Sequence, residues 1–357
     1  MPSRFGTTLL LSNLLVAAAA PCRAQTIADA YQAYVAGTPD AISRSFPDVQ
    51  AFRDSREDLQ RTLRLWIRSW KPSQAAFLLE LSLVGFDRGW SDAAELMSGT
   101  RNLVVSRPTP PGANVGEDAF ERAFHRAAVT FFLGRQMLTA ADAYMNALAG
   151  RVDLVQATVG KPRLVDPWMA FARGMLADIR TAPALRGESD GSSSLAIPAS
   201  HHQLRQLAQL AVSELERVRA APEVAGEAAV RRALLLLRVD RPNDALAALD
   251  ESDAATGDDA VRYFSALFRG RTLEHLARPA DAAAAYERAA AIVPGAQTPA
   301  VALASLWQRH DRPAEALTWA RRAMTTPAGT ADPWWLYWRG DLRHASARLA
   351  VLRATTP

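Results

Sequence analysis

Three Arg-Pro dipeptides, Arg241-Pro242, Arg278-Pro279 and Arg312-Pro313, stand 37 and 34 residues apart, each followed by an acid-alanine pair: Asp244-Ala245, Asp281-Ala282 and Glu315-Ala316. Proline is accepted in the first turn of a helix, where no amide donor is needed, and an acid there meets the positive end of the helix dipole. The small alanine beside it lets a partner helix approach closely. Apolar residues recur every three or four positions around these turns, the period of a helix that buries one face. A unit of helix, tight turn and helix cannot bury its apolar face alone; repeated at this length, it stacks on its neighbours. The pattern predicts an all-α array over residues 226 to 328.

The middle unit carries the fullest pattern. Gly270 and Leu273 stand in its first helix, Ala282 and Tyr286 in its second, Ala289 follows a turn later, and Pro294 closes it. In these residues it resembles the tetratricopeptide repeat family, departing from it at Ala266 and Arg269, where the family prefers Trp and Leu. The preceding unit keeps Leu236, Ala245 and Leu249 with Ala233 in the glycine place; the following one keeps Trp307, Ala316 and Ala323 with Ala304 there. The resemblance implies an α-solenoid of antiparallel hairpins wound as a right-handed superhelix, with alternate helices lining a concave groove that takes peptides. Carried over residue by residue, it points Phe264, Leu267, Arg271, Glu274 and His275 into that groove, then Val301, Ser305, Gln308 and Arg309. The family's clamp for terminal carboxylates uses lysines and asparagines. These positions lack both, so a carboxylate-clamp cochaperone is not expected.

Weaker echoes reach toward the amino terminus. Asp92-Ala93 after Phe77 to Val84, and Asp142-Ala143 after Phe131 to Met137, read as second helices of degenerate hairpins; Leu59, Leu63 and Trp66 show the same helical period. Two stretches interrupt it: Ser106 to Glu117, with three prolines, and Thr181 to Ser200, rich in glycine and serine. The expected organisation is therefore a helical region over 25–105, helical hairpins over 118–180, a flexible linker over 181–200, tetratricopeptide-like repeats with a capping helix over 201–345, and a terminal piece over 346–357. An internal match pairs Asp166-Pro167-Trp168 with Asp332-Pro333-Trp334; Asp then Pro starts a helix by capping its free amides. After the second copy, Trp334, Trp335, Tyr337 and Trp338 crowd into five residues. A helix that closes a solenoid needs such an apolar face; the competing reading is an aromatic platform for sugar or peptide binding.

The first 24 residues read as a secretory signal peptide: a short leader with Arg4, the apolar stretch Leu9 to Ala20, then a small-residue exit with cleavage expected after Ala24. Export places the mature chain in the periplasm or outside the cell. Lipid attachment at Cys22 is the rival reading, disfavoured by Pro21 where such signals carry a small residue. Cys22 is the one cysteine, so the exported chain has no disulfide, thiolate or cysteine metal ligand to use. No later stretch is apolar for long enough to span a bilayer.

The search for chemistry returns little. The histidines, His125, His201, His202, His275, His310 and His344, are scattered, and none sits at a spacing that places two ligands on one helical turn. No phosphate loop or nucleophile elbow is present. Asp178, Glu188 and Asp190 lie in polar surroundings and read as solvated. No catalytic residue, metal or cofactor is expected. A formal charge of +4, with acids interleaved among the arginines, offers no basic patch for nucleic acid. What remains is a noncatalytic exported scaffold holding a protein or peptide partner in the bacterial cell envelope. The alternatives are a glycan-binding or polysaccharide-handling helical protein and a helical hydrolase with an unmarked site.

Overall fold

Each Arg-Pro turn closes the same way in the computed structural model. The residue before the arginine, Asp240, Ala277 or Asp311, takes a left-handed conformation with φ of 63°, 54° or 52°. The arginine's amide then donates to the carbonyl five residues back, on Leu236, Leu273 or Trp307, at 2.9, 2.9 and 3.0 Å. This is the Schellman closure, which satisfies the carbonyls a helix leaves open at its end. The arginine side chain reaches forward to the acid three residues on: Arg241 Nε to Asp244 at 2.6 Å, Arg278 Nε to Asp281 at 2.8 Å and Arg312 Nε to Glu315 at 2.8 Å. Gln136 repeats the geometry with φ 59°, and the Met137 amide donates to Phe132 at 2.8 Å. The turn after Phe131 thus belongs to the same kind of unit although it has no Arg-Pro.

The structure describes residues 26–38, 40–66, 71–89, 93, 96, 99–100, 104–105, 117–159, 166–181, 201–255, 257–325 and 332–356. The expected signal peptide over 1–24, with Cys22, lies outside them. Every regular element among the described residues is helical. The first block holds α1 (Ile27–Val35), α2 (Ala41–Ser45), α3 (Val49–Asp54), α4 (Arg56–Trp66) and α5 (Pro72–Asp87), gathered on a core that includes Phe46, Phe52, Phe77, Leu78 and Leu81. Ala93 and Leu96, after Asp92, are helical and buried in that core. Paired helices follow: α6 (Ala119–Gly134) with α7 (Leu138–Val159), α8 (Pro167–Arg180) with α9 (His201–Arg217), α10 (Ala225–Arg238) with α11 (Pro242–Ala255), α12 (Asp259–His275) with α13 (Pro279–Ile292), and α14 (Thr298–Arg309) with α15 (Pro313–Thr325). The first helices of successive pairs also touch one another, α6 to α8, α8 to α10 and α10 to α12. This is an all-helical architecture of neighbouring pairs, compatible with a solenoid. No helix among the described residues is long and apolar enough to cross a membrane.

Glycines set how closely the paired helices approach. A Cβ built on Gly270 would lie 2.5 Å from the Tyr286 ring, and one on Gly174 would lie 2.6 Å from Leu215. The second contact joins α8 to α9, which pack as a pair. The expected linker lies, apart from Thr181, outside the described residues. Because Tyr286 is itself buried, its ring has no room to yield. Gly270→Ala is expected to lower stability by roughly 1–3 kcal/mol through overpacking. Gly150→Ala, whose Cβ meets nothing within 4 Å, should be neutral or raise stability by up to about 1 kcal/mol through helix propensity. Urea denaturation of both variants checks the contrast, and equal midpoints would remove the close-contact role of Gly270.

The largest departure from expectation is the path of the chain after α15. The aromatic segment does not cap the array; it turns back and runs along the first helices. Asp332 caps α16 (Trp334–Tyr337), accepting from the Trp334 amide at 2.9 Å, as Asp166 caps α8 by accepting from Trp168 at 3.1 Å. Asp332 also accepts from Tyr263 Oη at 2.7 Å and from the Thr298 amide at 2.8 Å, fixing the start of the return to α12 and α14. Tyr337 then packs edge-on to Phe264 and Phe268, at centroid distances of 5.2 and 5.3 Å. Further along, Gln136 Nε2 donates to the Trp338 carbonyl at 2.5 Å, and Leu342, in a short 3-10 turn, lies against Gly134. The last helix, α17 (Ala345–Ala354), packs on α6 and α5, burying Leu352 and pairing Arg353 with Glu80. Residues 346–356 are thus an integral layer on the first half of the chain, not a loose end.

Candidate functional site

The repeat register gathers one open cleft. Counting back from the turn arginines, the position seven residues earlier is Leu234, Arg271 or Ser305; four earlier, Leu237, Glu274 or Gln308; three earlier, Arg238, His275 or Arg309. In parallel helices stacked side by side, equivalent positions fall in rows. Leu234, Leu237, Arg238, Arg271, Glu274, His275 and Arg309, all from these three rows, line a cleft of about 400 Å³ across the ends of α10, α12 and α14. Four of them, Arg271, Glu274, His275 and Arg309, are residues that the family resemblance points into a groove. Leu234, Leu237 and Arg238 were missed. The signal for them was present, because the same register applied one repeat earlier names them.

Within the cleft the charges are unequally engaged. Glu274 accepts from Tyr286 Oη at 2.5 Å and is paired with Arg309, whose other nitrogen donates to Ser305 Oγ at 2.7 Å. Burial and the Glu274 carboxylate push the Tyr286 hydroxyl far above its ordinary range, so it stays a donor. His275 Nε2 lies 2.8 Å from Asp240. Arg238 donates to Asp178 at 2.8 Å and lies with its guanidinium 5.3 Å from the Trp338 ring centre, so the return segment forms one border of the cleft. Arg271 is exposed and has no hydrogen-bond or ion-pair partner among the described residues. With three guanidiniums against one carboxylate lining it, the cleft is cationic, and Arg271 is the fork left to bind. A guanidinium matches a carboxylate in geometry, with two parallel donors.

The structure separates the other predicted residues. Phe264 and Leu267 do not face an open groove: both are buried, Phe264 beneath Tyr337. Phe264 is covered by the chain's own return. Val301, Ser305 and Gln308 are exposed on α14 but do not line the cleft. The aromatic set also divides. Tyr337 is fully buried, Trp334 and Trp338 are half-buried against the core, and Trp335 alone is open, at 68% exposure.

Asp178 overturns its sequence reading. It is 0% exposed, not solvated, and accepts from Arg231 at 3.2 Å, Arg238 at 2.8 Å and Tyr337 Oη at 2.7 Å. The expectation failed because polarity along the sequence does not report what two distant segments bring to a helix. Glu188 and Asp190 lie outside the described residues. Among the described residues no group of three or more His, Cys, Asp or Glu could hold a metal ion. No protein-family model matches this chain, and no curated protein matches it at significant similarity.

Proposed function

We propose that this chain is a noncatalytic scaffold of tetratricopeptide type, exported to the bacterial cell envelope, that holds an extended acidic segment of a partner protein. The observation that carries the reading is the cationic cleft, built by equivalent positions of three successive repeats and containing the unengaged Arg271. Support for the repeat type comes from the Gly270 approach to Tyr286 and the three identical turns. The right-handed superhelix follows from that family type. Leu234 and Leu237 supply an apolar floor, so a peptide with alternating acidic and apolar side chains fits the lining.

The competing readings draw less from the geometry. Trp335 is a single open ring, and a sugar platform needs a broader aromatic surface. For hydrolysis, the buried carboxylates Glu227 and Asp341 face one small cavity, but Glu227 is paired with Arg231 at 2.8 Å and with Arg343, and Asp341 with Arg348 at 2.9 Å. Burial alone would raise the Asp341 carboxyl; hydrogen bonds from His344 and Arg348 outweigh it and hold it below the ordinary range. It has no proton to give as a general acid.

The test is capture of partners from the envelope fraction by the intact protein and by the Arg271→Glu plus Arg309→Glu variant. Recovery of the acidic-segment partner should fall at least about tenfold, the scale of a lost charge-assisted contact, with unchanged circular dichroism. Binding should also weaken with added salt, since the cleft is open to screening. Equal recovery of every partner would remove the cleft from the function.

A further inference from the structure

The second helix of each pair has a side that the following pair covers, and on the last pair that side is open. Counting by the 34-residue spacing from Pro279 to Pro313, Ala283 and Ala290 of α13 correspond to Leu317 and Met324 of α15. The two alanines are 5% and 4% exposed, on a helix packed against both α12 and α14. Leu317 and Met324 are 50% and 85% exposed. Among the described residues α14 is the one helix packed along α15, and Ala316 is the one buried residue of α15. The last helix of a repeat array ordinarily shows water a polar outer face. Here the stripe becomes larger and more apolar where its cover ends. Leu317, Ala320 and Met324, at intervals of three and four residues, make one seam along α15.

The charges beside the seam single out a second copy of the chain as its cover. Arg312 is paired with Glu315, and Arg322 lies 5.0 Å over the Trp319 ring. Arg321, four residues after Leu317, and Asp311, six before it, are exposed, and their side chains have no hydrogen-bond or ion-pair partner among the described residues. At a helical rise of 1.5 Å per residue, Arg321 stands about 6 Å from Leu317 along the axis and Asp311 about 9 Å the other way. A two-fold axis through Leu317 runs two copies of α15 antiparallel. Each Arg321 then comes within side-chain reach of Asp311 on the other copy, and the two Leu317 side chains meet at the centre. Such an interface is isologous, so a seam with opposite charges at its two ends is complementary to itself. We propose that α15 joins two copies of this chain as an antiparallel two-fold dimer, sealed by Leu317 and Met324 and registered by the Arg321–Asp311 pairs. The proposal is independent of the arginine cleft, which shares none of these residues.

A helix of 13 residues is about 20 Å long, which places the seam at the small end of specific interfaces and the dissociation constant on the order of micromolar. Sedimentation equilibrium of the intact protein, from about 1 to 300 μM, should show a monomer–dimer transition. Leu317→Glu, at an open position, should raise the dissociation constant at least about tenfold with unchanged circular dichroism. Asp311→Lys and Arg321→Glu should each weaken the dimer about threefold or more, because each brings like charges together twice. Asp311 has φ of 52°, close to the 54° that Ala277 takes in its own turn, so the turn accepts a residue other than aspartate. Mixed in equal amounts, the two charge variants should associate again, since one contact is then the original pair and the other its reverse. A protein that stays monomeric across the range, a dimer unaffected by Leu317→Glu, or a mixture that associates no better than either charge variant alone would each overturn the proposal.

Discussion

Tyr337→Ala should destabilise the protein by about 3–5 kcal/mol, the range for truncating a large, fully buried aromatic side chain. Its ring fills the space between Phe264 and Phe268 with the Arg231 guanidinium 4.3 Å from its centre. Its hydroxyl donates to Asp178, and burial together with that carboxylate pushes the phenol well above its ordinary range. Truncation leaves a cavity and a carboxylate short of one donor. Trp335→Ala, three-fifths of a turn away and open to solvent, should change stability by less than about 0.5 kcal/mol. Urea denaturation compares the two. Limited trypsin digestion adds a local readout: Tyr337→Ala should speed cleavage at the exposed Arg339 by releasing the return segment. If both tryptophan and tyrosine variants match the parent, the return segment is not a packed layer.

The second large effect is expected at Asp178. Asp178→Ala removes the acceptor shared by Arg231, Arg238 and Tyr337, and Arg231 has 0% exposure to recover with water. Glu227 at 2.8 Å remains its carboxylate partner. Breaking one side of a buried ion pair costs about 3–5 kcal/mol, most of it from the charge left behind. Asp178 and Tyr337 act on one network, so their effects should not add: a cycle of Asp178→Ala with Tyr337→Phe should show a coupling of about 0.5–3 kcal/mol. A loss under about 1 kcal/mol in Asp178→Ala, or strict additivity with Tyr337→Phe, would show that the network does not hold the return segment in place.

These two residues also mark how far sequence reasoning reached. The Arg-Pro turns, the Gly270 seam and the rows that build the arginine cleft are local or short-period features. Each depends on residues within about one repeat: the turns were read from spacing, and the places of Gly270 and the cleft residues from the resemblance to the repeat family. The Arg238 contribution to the cleft was legible in the same register and was lost only because the register was carried over two repeats instead of three. Asp178 was not legible. Its three donors come from Arg231, Arg238 and Tyr337, at sequence separations of 53, 60 and 159 residues, and nothing in its neighbours records them.

The sequence by itself determined helices, their turns and their pairing through Arg-Pro units, because backbone capping and helical periodicity act over a few residues. It also marked Trp334, Trp335, Tyr337 and Trp338 as an aromatic cluster that is either covered or offered as a platform, without saying which. Only the tertiary structure decided which of them are covered, and by what. Any apolar helix face could satisfy burial, which has no direction. The choice fell to the particular shape between Phe264 and Phe268 and to the Asp178 carboxylate waiting beneath it.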